Sequence, residues 1–125
     1  MITYHQIGTK WGRFRRKKKV KIPVLQKCPH KQALIVRLLT KAPKKPHSAR
    51  RRVAYVNITS IKRLTYAYIP GIGHSLYKFA RVLLRGGRRR DIPNMKVQII
   101  RGKMDAGTVA LRRKARSKYG MLKIR

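Results

Sequence analysis

Thirty-five lysines and arginines stand against two acidic residues, Asp91 and Asp105, in a chain of 125 residues, for a formal net charge of +33. No other feature of the sequence constrains its fold and partners as strongly. Such a chain repels itself, and self-repulsion opposes compaction until a polyanion neutralises it. Nucleic acid offers the densest phosphates, and each contact releases a counterion. An anionic membrane surface also carries negative charge. Against a membrane partner, no apolar run approaches the roughly 20 residues needed to cross a bilayer, and no amphipathic helix with an apolar face is found. Hydrophobic residues make up 42% of the chain, enough for a core. That excludes a wholly disordered wrapper. The length suits a single domain.

The basic residues are clustered. Residues 10–21 hold eight of them: Lys10, Arg13, Arg15, Arg16, Lys17, Lys18, Lys19 and Lys21. A like-charged run of this kind does not fold alone. Fully extended at about 3.3 Å per residue, the first 25 residues reach roughly 80 Å, far enough to thread into folded RNA. Before the run, Thr3 is a candidate N-cap for one or two helical turns. The start lacks the basic end and apolar stretch of a secretory signal, and Gly12 interrupts any amphipathic presequence, so residues 1–20 are read as mature protein. The single cysteine, Cys28, leaves no intramolecular disulfide.

The middle of the chain reads as β-structure. Candidate strands cover 34–39, 53–59, 64–69, 81–85 and 97–101, each rich in Val, Ile, Leu or Tyr and bounded by Gly, Pro, Asn or basic loops. In the second, Val53, Tyr55 and Asn57 face one way and Ala54, Val56 and Ile58 the other, as in a half-buried strand. Five short strands with long loops suggest a small five-stranded barrel of the oligonucleotide-binding (OB) type. The expected organisation is a basic extension (1–27), the barrel (28–105) and a basic C-terminal tail (106–125). In the tail, residues 109–116 favour a short helix ended by Gly120. No carboxylate is available there to pair with Arg112, Arg113, Lys114, Arg116 or Lys118.

Two further basic clusters lie in loops. Residues 41–52 contain Lys41, Lys44, Lys45, Arg50, Arg51 and Arg52, with Pro43 and Pro46 fixing φ at two points. A loop stiffened in this way loses less entropy on docking. Residues 85–91 contain Arg85, Arg88, Arg89 and Arg90, with Gly86 and Gly87 available for close approach of the backbone to a phosphate. Arginine grips phosphates bidentately or stacks on bases. One such cluster is ordinarily just a solvated surface, but three in a chain with two acids point to nucleic acid. No helix-turn-helix, zinc finger or heptad pattern for reading DNA is present. Basic tails and loops on a small barrel suit irregular RNA, read by shape and phosphate position. Trp11 and Phe14 are candidates for base stacking. Tyr66 and Tyr68, alternating within a strand, fit packing on the sheet face better.

Catalysis is not indicated. Asp91 sits in an arginine run, where it is expected to be ionised and ion-paired, and Asp105 falls in a loop. His5, His30, His47 and His74 are scattered, so no supported acid–base pair is visible. Cys28 and His30 offer two metal ligands without a second pair, so no metal is expected. Gly71-Ile72-Gly73-His74 lacks the third glycine or the lysine of a phosphate loop and reads as a turn. No cofactor is implied.

Several short segments occur in a recognisable order: Lys27-Cys28-Pro29, Pro43-Lys44-Lys45-Pro46, Ser48-Ala49, Pro70-Gly71-Ile72-Gly73-His74, Leu84-Arg85-Gly86-Gly87-Arg88, Asp91-Ile92-Pro93, Ile100-Arg101-Gly102 and Ala115-Arg116-Ser117-Lys118-Tyr119-Gly120. Together they resemble the small-subunit ribosomal protein twelve family of bacterial-type ribosomes, nearly end to end. The resemblance implies an OB-type barrel whose N-terminal extension passes between RNA elements. It implies partners in the small-subunit ribosomal RNA and neighbouring ribosomal proteins, indirect contact with mRNA and A-site tRNA, and neither membrane nor homo-oligomer. It also implies two decoding-centre loops that support codon–anticodon inspection, one matching Lys44, Lys45, Pro46, His47 and Ser48, the other Arg90, Asp91, Ile92, Pro93 and Asn94. The aspartate matching Asp91 is chemically modified in some bacterial members.

The sequence departs from the family pattern in places. His47 stands where the family usually has Asn, Arg90 where it has Lys, and Asn94 where it has Gly. Asn still tolerates positive φ. Lys78 and Phe79 replace a usual acidic residue and a usual His. These departures, with the enrichment in Lys, Ile and Tyr, suggest an organellar ribosome in the mitochondrial matrix, with a plastid or a bacterial cytoplasm as alternatives.

Overall fold

The computed structural model describes residues 3–8 and 19–123. Five strands form a closed barrel: β1 (His30–Lys41), β2 (Arg51–Ile58), β3 (Arg63–Tyr68), β4 (Arg81–Gly86) and β5 (Val97–Ile99). Around the barrel the order is β1-β2-β3-β5-β4. All neighbours are antiparallel except β3 and β5, which run parallel. A short helix, α1 (Tyr4–Gly8), forms where one or two turns were expected. Brief 3-10 turns lie at Pro23–Leu25 and Arg116–Tyr119.

Closure depends on the 12-residue β1, which pairs through His30–Leu34 with β4 and through Ala33–Lys41 with β2. Its register shifts between Ile35 and Arg37, so Val36 has no partner across the β2 ladder. An extra residue of this kind bends a strand and increases its twist. It also resets the alternation. Ala33 and Ile35 are buried before the shift, and after it Leu38, three residues on, packs against the same core.

The core follows the period of two. Ala54, Val56 and Ile58 of β2 are fully buried with Ala67, Val82, Leu84, Val97 and Ile99. Leu38, Ala54, Ala67 and Val97 lie in one cross-strand row. Alanines in the middle of that row fit the narrow interior of a five-stranded barrel. Leu25, Ile69, Leu76, Ala80 and Ala106 extend the cluster. Each fully buried Ile, Leu or Val contributes about 1.5–3 kcal/mol.

The observed strands overlap all five expected ones. β1 starts four residues early because His30, Lys31 and Gln32 pair with β4 through backbone while remaining polar. β5 ends at Ile99, and the chain then turns so that Arg101 is buried outside the ladder. The expected helix over 109–116 does not form. Leu111 (φ 58°) and Ala115 (φ 51°) are left-handed, which breaks an α-helix at two points, and Val109 is drawn into the protein. Adjacent cations with no acid to offset them remove what support the helix had. Only Arg116–Tyr119 coils, and Gly120 ends it, as expected, in the left-handed conformation. A side chain at Gly120 would meet the Arg101 carbonyl oxygen at 2.7 Å, so the tail can lie against Arg101-Gly102 only as glycine.

Candidate nucleic-acid interface

The loop between β1 and β2 carries Lys44, Lys45, Pro46, His47 and Ser48, all exposed. It turns at Lys44, whose carbonyl accepts from the His47 N–H at 3.0 Å. The Lys45–Pro46 peptide is cis. The loop between β4 and β5 is closed by two backbone bonds: Gly87 N–H donates to the Lys96 carbonyl (3.2 Å) and Arg89 N–H to that of Met95 (3.1 Å). At its tip Asn94 adopts φ 60°, a conformation that asparagine tolerates.

The fold joins these loops. Lys44 N–H donates to the Asp91 carbonyl at 2.8 Å. Arg51 Nε, at the start of β2, donates to Asp91 Oδ2 at 3.1 Å, and Arg89 Nε lies 3.8 Å from Asp91 Oδ1. Beneath them Ile92 and Met95 are buried against Val53, with Tyr66 and Tyr68 packed alongside. Ile92 therefore anchors its loop from below, while Arg90, Pro93 and Asn94 are exposed. Asp91 is ion-paired as expected, but with Arg51 and Arg89.

Burial is the largest single influence on the Asp91 carboxyl and raises its pKa. The Arg51 bond, the residue's own backbone and the charges of Arg89 and Arg51 together outweigh it, so the pKa falls below its ordinary 3.8. The group is a fixed anion at neutral pH.

Lys21 and Arg88 border the joined loops, sharing a cleft with Lys44, Pro93 and Asn94. Lys19, Lys21, Arg50, Arg52, Arg85, Arg88, Arg113, Lys114 and Lys118 are exposed. Arg51 and Arg89 are half-buried and engaged with Asp91; Arg89 also lies over the Tyr68 ring and donates to its hydroxyl at 3.1 Å. Arg112 covers Tyr119 at 3.8 Å, and Arg116 is half-buried. Lys10, Arg13, Arg15, Arg16, Lys17, Lys18, Trp11 and Phe14 lie outside the described residues. Tyr66 and Tyr68 pack on the sheet face as read, Tyr66 with Lys41 above it at 3.4 Å. The two glycines of the third cluster are packed closely within the protein. A side chain at Gly86 would meet Ile22, and one at Gly87 would meet Gln98 Nε2 at 2.7 Å.

Sequence reasoning missed Arg101. The residue is 6% exposed, and its guanidinium donates to four carbonyls: Gly107 (2.7 Å), Pro70 and Gly73 (2.9 Å each) and Thr108 (3.3 Å). It thereby fastens the turn after β3 to the start of the tail. Its position two residues past a strand, before Gly102, was the available signal. His74, in the fastened turn, accepts from Leu76 N–H through Nδ1 at 3.2 Å, which requires a neutral ring. Burial first, then the charges of Arg52 and Arg101, lower its pKa from 6.5.

The model of one protein family, described as ribosomal protein S12/S23, matches residues 18–124. The match takes in all five strands, both loops, Arg101 and the 3-10 turn of the tail. A barrel with two joined basic loops, in a chain this cationic, thus belongs to the ribosomal protein S12/S23 family, a structural component of the small ribosomal subunit that binds ribosomal RNA beside other ribosomal proteins.

Proposed function

We propose that the joined loops face the decoding region of the small-subunit RNA and support the bases that inspect codon–anticodon pairing. The observation that carries this reading is the single exposed basic edge built from Lys44, Lys45, Pro46, His47 and Ser48 with Arg90, Pro93 and Asn94, held by the Lys44–Asp91 and Arg51–Asp91 bonds. A rigid edge can hold RNA bases to a fixed position, whereas a flexible patch only attracts them. In this reading mRNA and A-site tRNA are reached indirectly, through the RNA. The extension and the cations at 50–52, 85–89 and 112–118 hold RNA backbone. The chain acts as one copy, without catalysis, cofactor, metal or membrane contact.

The test is crosslinking in small subunits purified by sedimentation, with a misreading reporter alongside. Crosslinks from the His47 and Asp91 loops to decoding-region RNA are expected. Lys45→Ala or Pro46→Ala should enter particles and change misreading. Variants that fail to enter particles would make the loop an assembly element and sink the decoding role. A mitochondrial setting is supported by the departures at His47, Arg90 and Asn94 and by the enrichment in Lys, Ile and Tyr. Recovery of the protein with mitochondrial ribosomes in fractionated cells checks it, and recovery with plastid or bacterial ribosomes refutes it.

A further inference from the structure

On the side of the barrel where β4 and β5 meet the tail, a cleft of about 740 Å³ lies among His30, Arg85, Lys103, Lys118, Tyr119 and Arg101. Its volume is that of a small-ligand site, about 300–1,000 Å³. Among the described residues no carboxylate lines it, and Leu83, Ile99 and Pro70 give it apolar walls. Arg101, in its wall, is a built feature rather than a loose surface cation. The residue is almost wholly buried, and the four described partners of its guanidinium are carbonyls, which disperse its charge without neutralising it. Lys103 and Lys118 are exposed at the cleft.

We propose that this cleft receives an unpaired nucleotide of the small-subunit RNA, its phosphate among Lys103, Lys118 and Arg85 and its base against the apolar wall and Tyr119. Cations without an acid select an anion, and apolar walls beside an aromatic ring select a flat base attached to it. An acidic protein segment would satisfy the charge alone. The inference rests on membership in the small subunit and is independent of the decoding role of the loops.

Purified small subunits carrying the full-length chain are irradiated with ultraviolet light, and peptide–nucleotide adducts are read by mass spectrometry. An adduct on Lys103, Lys118 or Tyr119 to a single RNA position is expected. Lys103→Glu with Lys118→Glu, both at exposed positions, should abolish that adduct in the subunits that incorporate the chain. With the purified chain and naked small-subunit RNA, the slope of log affinity against log salt should shrink by roughly 1.4, at about 0.7 for each lost contact to a single strand. Crosslinks from these residues to a neighbouring protein would overturn the proposal. So would cleft residues without adducts in subunits where the loops do crosslink to RNA; either result leaves the decoding role standing. Recovery of the chain outside the small subunit would overturn both.

Discussion

Replacing Arg101 by methionine tests whether one buried cation organises the tail. Charge-assisted hydrogen bonds contribute about 1.5–3 kcal/mol each, so four would sum to roughly 6–12 kcal/mol if nothing opposed them. Two effects reduce that figure. Burying the guanidinium costs several kcal/mol, and the cost disappears with the residue. Three of the four carbonyls belong to the exposed residues Gly73, Gly107 and Thr108, where water re-forms their bonds. The Pro70 carbonyl, at a half-buried residue, is the least accessible to water. Methionine keeps an apolar stem and leaves little cavity. The net loss for Arg101→Met is about 3 kcal/mol, at the low end for breaking a buried charged network. At about 4 °C per kcal/mol for a domain of this size, Tm falls by about 12 °C. The assay is thermal unfolding of the purified chain in sulfate, which screens self-repulsion and strengthens burial. Lysine at the position keeps the charge but not the fork geometry, so it should recover only part of the loss. A drop in Tm below about 4 °C, the shift of a 1 kcal/mol surface substitution, with unchanged amide exchange across 70–73 and 107–120, would refute the reasoning.

Three further outcomes are expected. A double-mutant cycle of Arg51→Ala and Asp91→Ala should give a coupling of about 1 kcal/mol, since the pair is only partly shielded from water. The Asp91 pKa is lowered in the folded protein, so this stabilisation is complete above about pH 4 and is lost as pH falls through the lowered value; the Arg51 Nε–H resonance followed by NMR reports it, and a loss beginning near pH 6 would contradict the assignment. His74 should titrate below 6.5, and Arg52→Ala should move its midpoint upward by removing one repelling charge; an unmoved midpoint in the NMR titration excludes that cause. Ile92→Ala should cost about 2 kcal/mol, the low end for a buried large-to-small change because the satellite cluster is small, and should loosen amides at 89–95 while β1–β4 pairing stays protected; uniform loss of protection would show that loop and barrel unfold as one.

The strands were legible because the barrel buries one face of each, and a period of two survives in Val53–Ile58 and in the alternating tyrosines of β3. The two loops could be named from family likeness, but nothing in the sequence foretells that they join. Their joining depends on Lys44 N–H meeting a carbonyl 47 residues away, and a backbone bond leaves no residue type as its mark. The tail was misread because helix propensity at Ala110, Leu111 and Ala115 is a local quantity. The left-handed turns at Leu111 and Ala115 accompany nonlocal anchorage of Val109 and of Gly120 against Arg101. Tertiary context overrode propensity there. Arg101 was overlooked because its mark in the sequence, a place two residues past a strand and before Gly102, is weak among 35 cations, and only the fold buries it.

The disposition of the few groups able to offset charge explains why the outer surface remains so strongly positive. The chain has two acidic side chains, and the fold uses both for internal ties. Asp91 joins the loops through Arg51, and Asp105 Oδ2 accepts from the Arg81 N–H at 2.8 Å while its own N–H donates to the Arg81 carbonyl at 3.1 Å. Four rings also carry a cation of the chain on one face: Tyr55 that of Arg37, Tyr66 that of Lys41, Tyr68 that of Arg89 and Tyr119 that of Arg112. Exposed cations such as Lys45, Arg52, Arg88, Lys103 and Lys118 therefore face solvent without local compensation. A surface organised in this way repels other cationic proteins, including copies of itself, and gains binding free energy from polyanions through counterion release. The internal ties fix where the two loops stand relative to each other; under the proposed decoding role, RNA would meet a preorganised edge and less of the interaction would be lost to ordering it.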